Sequence, residues 1–343
     1  ADSWQGLDAF GAQSQQNERV ERDSQAVFGH LDYEILDAWT ISLGARHSWD
    51  ETKHRFSLRQ PGIEVPPLDN SQKAKFQNNS YEAGTQYQLT PDHMVYFRYA
   101  EGYRGGGFVG LPGSLDAAVG FGPETSKSYE VGFKTQWLEN RLLVNITLFD
   151  VKFKDMQRDI TQSGPNNTFV QVTANAADAT TKGIEFESFF RPVPEFTVHA
   201  TFGYLKAEYT SYESVNATNG QVIDLSDTPM PYAPEYTASG SAEYTVPFNP
   251  VFGFDSAEFF VSYDWRSKFT ESNTNHPSGF QDEYGVASAA VSFDAGDRYK
   301  VTLYGDNLFD KRFITLGDDV GGLIAHAYDN IGRTYGAKFG MKF

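Results

Sequence analysis

The sequence predicts an all-β chain, folded as an antiparallel β-barrel that crosses a membrane. Three observations lead there. Apolar and polar residues alternate with period two through most of the chain, so that each run has one greasy face. The connections between these runs are short and long by turns, which sorts tight turns to one rim and long loops to the other. No window approaches the roughly eighteen uninterrupted apolar residues of a spanning helix, and mean hydropathy is −0.48. A barrel escapes hydropathy averaging because only alternate residues meet lipid.

Taken in order, the alternating runs lie near 23 to 33, 38 to 54, 74 to 88, 93 to 104, "EVGFKTQW" (130 to 137) and 141 to 156. They continue at 179 to 190, 195 to 209, 231 to 246, "EFFVSYDWRS" (258 to 267), 282 to 293, 299 to 312 and the terminal run from Tyr335 to Phe343. "WQGLDAFGAQSQ" supplies part of one more, for about 14 strands. The 28 Phe, 19 Tyr and 31 Gly favour strands and turns over helices. The alternation sends Val131, Phe133, Val261, Tyr263 and Phe339 to lipid, and Glu130, Lys134, Asp264 and Arg266 to the lumen.

Short connections fall at 34 to 38, 89 to 93, 138 to 141, 191 to 195, 247 to 256 and 294 to 298. Long ones fall at 55 to 73, 105 to 124, 157 to 178, 210 to 230, 267 to 281 and 313 to 328, giving six long outer loops. A soluble barrel has no reason to segregate its loops in this way. The last strand is expected to pair with the first, because an open edge in lipid leaves N–H and C=O groups unsatisfied.

A net charge of −17 repels polyanions and excludes nucleic acid as a partner. The chain has no Cys, hence no disulfide framework or thiolate metal site. Its seven His stand at 30, 47, 54, 93, 199, 276 and 326 without ligand spacing, so no metal site is expected and each reads as a surface histidine. "GYRGGGFVG" lacks a GK[ST] ending, so its glycines read as the exit of the chain from the rim into an outer loop rather than a phosphate cradle. No G-x-S-x-G elbow is present and no catalytic residue is assigned; the chain does not read as an enzyme. Asp318 and Asp319 read as an acidic loop tip. No signal peptide stands at Ala1, so one has been removed or the chain is a fragment.

Several stretches together resemble the TonB-dependent outer-membrane receptors: "VYFRYAEGYRGGGF" (95 to 108), "PETSKSYEVGFKTQWLENRLLVNITLFDVKFKDMQ" (123 to 157), "NAADATTKGIEFES" (175 to 188), "PMPYAPEYTASGSAEYT" (229 to 245) and "VTLYGDNLFDKRF" (301 to 313). Tyr335, Phe339, Met341 and Phe343 resemble the C-terminal signal read by the barrel-assembly machinery. The resemblance implies that residues 1 to 343 are the later part of a barrel of about 22 strands, without the plug domain and the TonB-binding segment. It also implies uptake of a ferric siderophore or similar scarce nutrient across the Gram-negative outer membrane, energised by the TonB complex through that missing N-terminal part. Lipid and lipopolysaccharide are the expected surroundings, and no cofactor beyond the transported ligand is expected. The boxes typical of haem-importing members are missing. A self-contained 14-stranded passive channel and a soluble carbohydrate-binding β protein are the alternatives.

On the outer loops, Tyr103, Arg104, Phe108, Gln157, Arg158, His276, His326 and Tyr328 are the candidate ligand contacts. Arginine pairs with carboxylate, catecholate or phosphate oxygens, and aromatic faces stack on flat ligands.

Overall fold

In the computed structural model the described residues are 2–7, 13–59, 68–109, 119–163, 169–215, 220–271, 279–296, 298–320 and 324–341. They hold fourteen principal strands in one antiparallel sheet ordered as in the chain. These are β1 (Asp2–Leu7), β2 (Gln13–Leu36), β3 (Trp39–Arg59), β4 (Leu68–Thr90), β5 (His93–Arg104), β6 (Glu124–Trp137) and β7 (Leu142–Ser163). The rest are β8 (Phe169–Val193), β9 (Phe196–Val215), β10 (Tyr236–Val251), β11 (Phe254–Arg266), β12 (Tyr284–Asp294), β13 (Tyr299–Asp306) and β14 (Thr334–Met341). Among the described residues β14 pairs only with β13, and the expected pairing of β14 with β1 is not formed.

Register fixes which residues share a face, because directly opposed side chains point the same way. One ladder runs Phe97, Val131, Leu148, Ile184, Tyr204 and Tyr236 across β5 to β10. Its neighbour of opposite facing runs Gly84, Arg98 and Glu130. Val131, Phe133, Val261, Tyr263 and Phe339 are between 37% and 69% exposed. Large apolar side chains this bare mark a face that needs lipid to cover it. The other face carries polar pairs: Arg98 and His30 both reach Glu82, and Tyr96 donates to Glu130 at 2.6 Å.

Aromatics collect at both ends of the apolar face. Trp39, Tyr87, Trp137, Phe196, Tyr244, Tyr299 and Phe339 lie toward the tight turns, and Trp49, Tyr99, Tyr129, Tyr204, Tyr236 and Tyr335 toward the long connections. Trp39 and Trp49 face the same way on β3, and ten residues of strand at a tilt of about 40° rise roughly 25 Å, the height of an apolar band.

The rims differ from the sequence expectation in three ways. The connection expected at 247 to 256 is strand down to a two-residue turn: Val251 pairs with Phe254, and Phe252 and Gly253 take φ of +52° and +87°, the primed turn that suits strand twist. Much of 55 to 73, 157 to 178 and 210 to 230 is strand, since β3, β4, β7, β8 and β9 continue above the apolar band. β13 stops at Asp306 rather than 312, because Asn307 and Asp310 turn the chain with positive φ, and Asn307 binds both the carbonyl and the N–H of Lys311.

Candidate functional site at the outer mouth

The long connection between β5 and β6 opens at Gly105 and folds inward across the mouth, not outward from the rim. Gly107–Phe108 pairs with Gly120–Phe121 in a small hairpin, and Phe108 stacks on His54 of β3 with ring centroids 5.7 Å apart. Gly106 is required here by close approach: a Cβ would run into the Phe121 carbonyl and the Phe76 ring. His54 is therefore no surface histidine; it is fully buried, with Nε2 3.1 Å from Glu18.

A bulge in β7 makes the anchor for this connection. Asp155 takes φ of +55°, and the β7–β8 register shifts beside it, so the consecutive residues Met156 and Gln157 are both buried at 6% exposure. A regular strand would send them to opposite faces. Gln157 Nε2 donates to the carbonyls of Gly105 (3.0 Å) and Gly122 (3.1 Å), and its backbone N–H donates to Glu124 (2.9 Å). Across β8, Asn175 accepts from the Gly122 N–H at 2.6 Å and donates to the carbonyls of Gly122, Pro123 and Asp155. Lys154 and the Asp155 N–H both bind Asp178, and Lys154 holds its carboxyl below the ordinary aspartate range.

Arg158 lies 5.6 Å over the ring of Tyr209, which with Tyr212, Met156, Ala177 and Ala179 makes a buried cluster. Burial pushes both tyrosine hydroxyls above their usual range, so they remain neutral donors. The residue after β5's Gly102, Tyr103, is half-buried beside Asp50, and burial followed by that carboxylate raises it in the same sense.

A second concavity of about 440 Å³ is lined by β11, β12 and the connections before β10, after β11 and after β13. Arg266 lies 5.7 Å over Tyr284, whose other neighbour is Phe313, stacked at 4.3 Å and 8°. Asp264 and the buried Glu271 line the same space. Among the described residues lining it, Arg266 is the one cation beside the carboxylates of Asp264 and Glu271, and the buried Tyr284 is already stacked on Phe313.

The candidates thus separate. Tyr103, Phe108 and Gln157 meet around the Gly105–Gly122 connection, Arg158 belongs to the Tyr209 cluster, and Arg104 is exposed opposite Glu124. Tyr328 is exposed on a distinct hairpin of Ile314–Val320 with Ile324–Asp329, where His326 stands opposite Asp318. His276 and Phe343 lie outside the described residues. Sequence reasoning did not single out Asn175, Asp50, Tyr209 or the Tyr284–Phe313 pair. Their partners are remote in sequence, and only Asn175 and Phe313 lie in stretches that carried a signal, through the family resemblance.

The fold and its outer mouth define a membrane receptor barrel. The family profile described as TonB dependent receptor-like, beta-barrel matches residues 2–308, and the chain belongs to that family, whose place is the Gram-negative outer membrane. The chain is 26% identical to the pesticin receptor of Yersinia pestis, over 94% of its own length and 44% of the receptor's. It is 24% identical to the ferric-pyoverdine 358 receptor of Pseudomonas putida, over 82% and 31%. The crystal structure of the ferric yersiniabactin uptake receptor of Yersinia pestis superposes with a TM-score of 0.80 at 22% identity, covering 96% of this chain and 47% of that one. The chain spans less than half the length of these relatives.

Proposed function

We propose that this chain is the later part of a TonB-dependent receptor that takes up a ferric siderophore. Family membership over residues 2–308 carries the reading. Relatives named as pesticin, ferric-pyoverdine and probable siderophore receptors support the ligand class. The open edges of β1 and β14 would pair with the remaining strands of a barrel of about 22. A plug and a TonB-binding segment, supplied outside residues 1 to 343, would complete the receptor. Insertion by the barrel-assembly machinery through Tyr335, Phe339, Met341 and Phe343 belongs to the same proposal, as does a role in transport rather than catalysis.

The test is iron-limited growth of a host lacking its own siderophore receptors and expressing the full-length parent. Catecholate, phenolate and hydroxamate ferric complexes are supplied one at a time. Growth on one class that disappears in a TonB-deficient host is expected. Growth that survives without TonB would favour the passive channel, and growth on none would remove the siderophore reading.

A further inference from the structure

Several charges on the lumen wall are spent on one another. Glu82 lies 3.2 Å from Arg98 and 2.7 Å from His30, and Lys300 stands 3.1 Å from both Glu258 and Asp294. At the concavity lined by β11 and β12 two charges are left over. Asp264 and Arg266 are alternate residues of β11, so their side chains leave the same face of the strand. Both are exposed and both line the space. Yet no ion pair joins either of them to any group among the described residues.

Neighbouring rings account for this. Arg266 lies 5.7 Å over the Tyr284 ring, and Phe313 fixes that ring from its other side. An arginine held over a ring keeps N–H donors for other partners. Asp264 stands opposite Ser239 and Val286, neither of which is cationic. Glu271, buried, adds a second carboxylate to the same wall, while Tyr232, Phe269 and Ile314 give the space apolar sides. A volume of about 440 Å³ is that of a small-molecule site.

The mixture of charges selects what fits. A purely anionic group meets Arg266 but also two carboxylates, and a purely cationic group meets the guanidinium. A group carrying both charges satisfies both sides. Alternate residues of a strand lie about 7 Å apart. A carboxylate and a protonated amine on one carbon bridge such a gap when each makes a charge-assisted hydrogen bond of about 2.8 Å.

The geometry points to a subsite for a zwitterionic, α-amino-acid-like end of the transported ferric complex, its carboxylate on Arg266 and its ammonium on Asp264. The assignment rests on the siderophore reading above and goes beyond it by naming the chemical form of the part of the ligand that this wall reads.

The test is equilibrium binding of radioiron complexes to the purified full-length parent. Catecholate, phenolate and hydroxamate cores are each made with four ends: a free α-amino acid, an amine alone, a carboxylate alone and an acetyl cap. For the core that binds, the amino-acid end is expected to bind about tenfold or more tightly than the cap, and more tightly than either single charge. Arg266→Gln should bring the amino-acid end down to the level of the amine alone, and Asp264→Asn down to that of the carboxylate alone. Each ratio is taken against the capped complex in the same variant. Comparison of ends in the parent needs no variant, and heat-modifiable mobility verifies that both variants fold. Equal binding of the four ends, or a preference that survives in both variants, would overturn the subsite and leave the siderophore reading standing. Binding of no core with any end would remove the siderophore reading and the subsite together.

Discussion

Gln157 and Asn175 stand directly opposite each other on β7 and β8, and both donate a side-chain N–H to the carbonyl of Gly122, each at 3.1 Å. Two amides converging on one carbonyl tie the far end of the inward-folded connection to the barrel wall, and Gln157 holds its near end through Gly105. At both ends of that connection the wall amides bind backbone carbonyls as a sheet ladder would.

Replacing Asn175 by Asp leaves the shape and turns a donor into an acceptor facing the carbonyls of Gly122, Pro123 and Asp155. An unmade bond at such a group costs about 1–3 kcal/mol. Amide exchange at Gly107 and Phe108 is expected to quicken about tenfold or more, while exchange in β11 and β12 stays as in the parent, and the Gly122 N–H keeps a carboxylate acceptor in the variant. Unchanged protection at Gly107 and Phe108 would show that the connection is held by something else.

Neighbouring positions on β11 should respond oppositely to the same charge. Val261 opposes Ala242 and Ala289 on the lipid face, and Ser262 opposes Ser241 and Ser288 on the lumen face. Val261→Arg is expected to cost about 2–4 kcal/mol near the bilayer centre, and Ser262→Arg much less. Urea unfolding of the full-length protein in liposomes measures both, and equal losses would contradict the facing of this strand.

Gly253 should be irreplaceable in the Phe252–Gly253 turn. Its φ of +87° is left-handed, and a Cβ would strike the Tyr299 hydroxyl, which donates to the Phe252 carbonyl at 2.9 Å. Gly253→Ala is expected to cost about 1–2 kcal/mol from backbone strain alone. Gly240→Ala, where the nearest atom to a Cβ lies at 3.9 Å, is the control. Heat-modifiable mobility of the inserted barrel compares the two.

Acid should loosen the connection between β13 and β14. Asp310 accepts the Arg333 N–H at 2.9 Å, and that bond, with the charges of Arg312 and Arg333, holds its carboxyl below the ordinary aspartate range. A depressed folded pKa stabilises above the unfolded value and is lost as pH falls through the folded one. Protection of the Arg333 amide, followed by hydrogen exchange, should hold at neutral pH and fall below about pH 4. Asp310→Asn should remove the pH dependence.

The alternation of side chains determined by itself which residues meet lipid and which meet the lumen, because strand facing has a period of two and is written in adjacent residues. The rhythm of tight and long connections likewise determined the polarity of the barrel, with "LENR" and "LTPDH" on one rim and the Gly-rich run on the other. What the tertiary structure alone decided depends on register between strands and on bulges. Nothing local in the sequence shows that Asp155 shifts the ladder so that Gln157 meets Asn175, or that His54 is buried under Phe108. Nor does it show that Arg266 lies over Tyr284. Those relationships join residues tens of positions apart, and a slip of one residue in pairing would send every one of them to the opposite face.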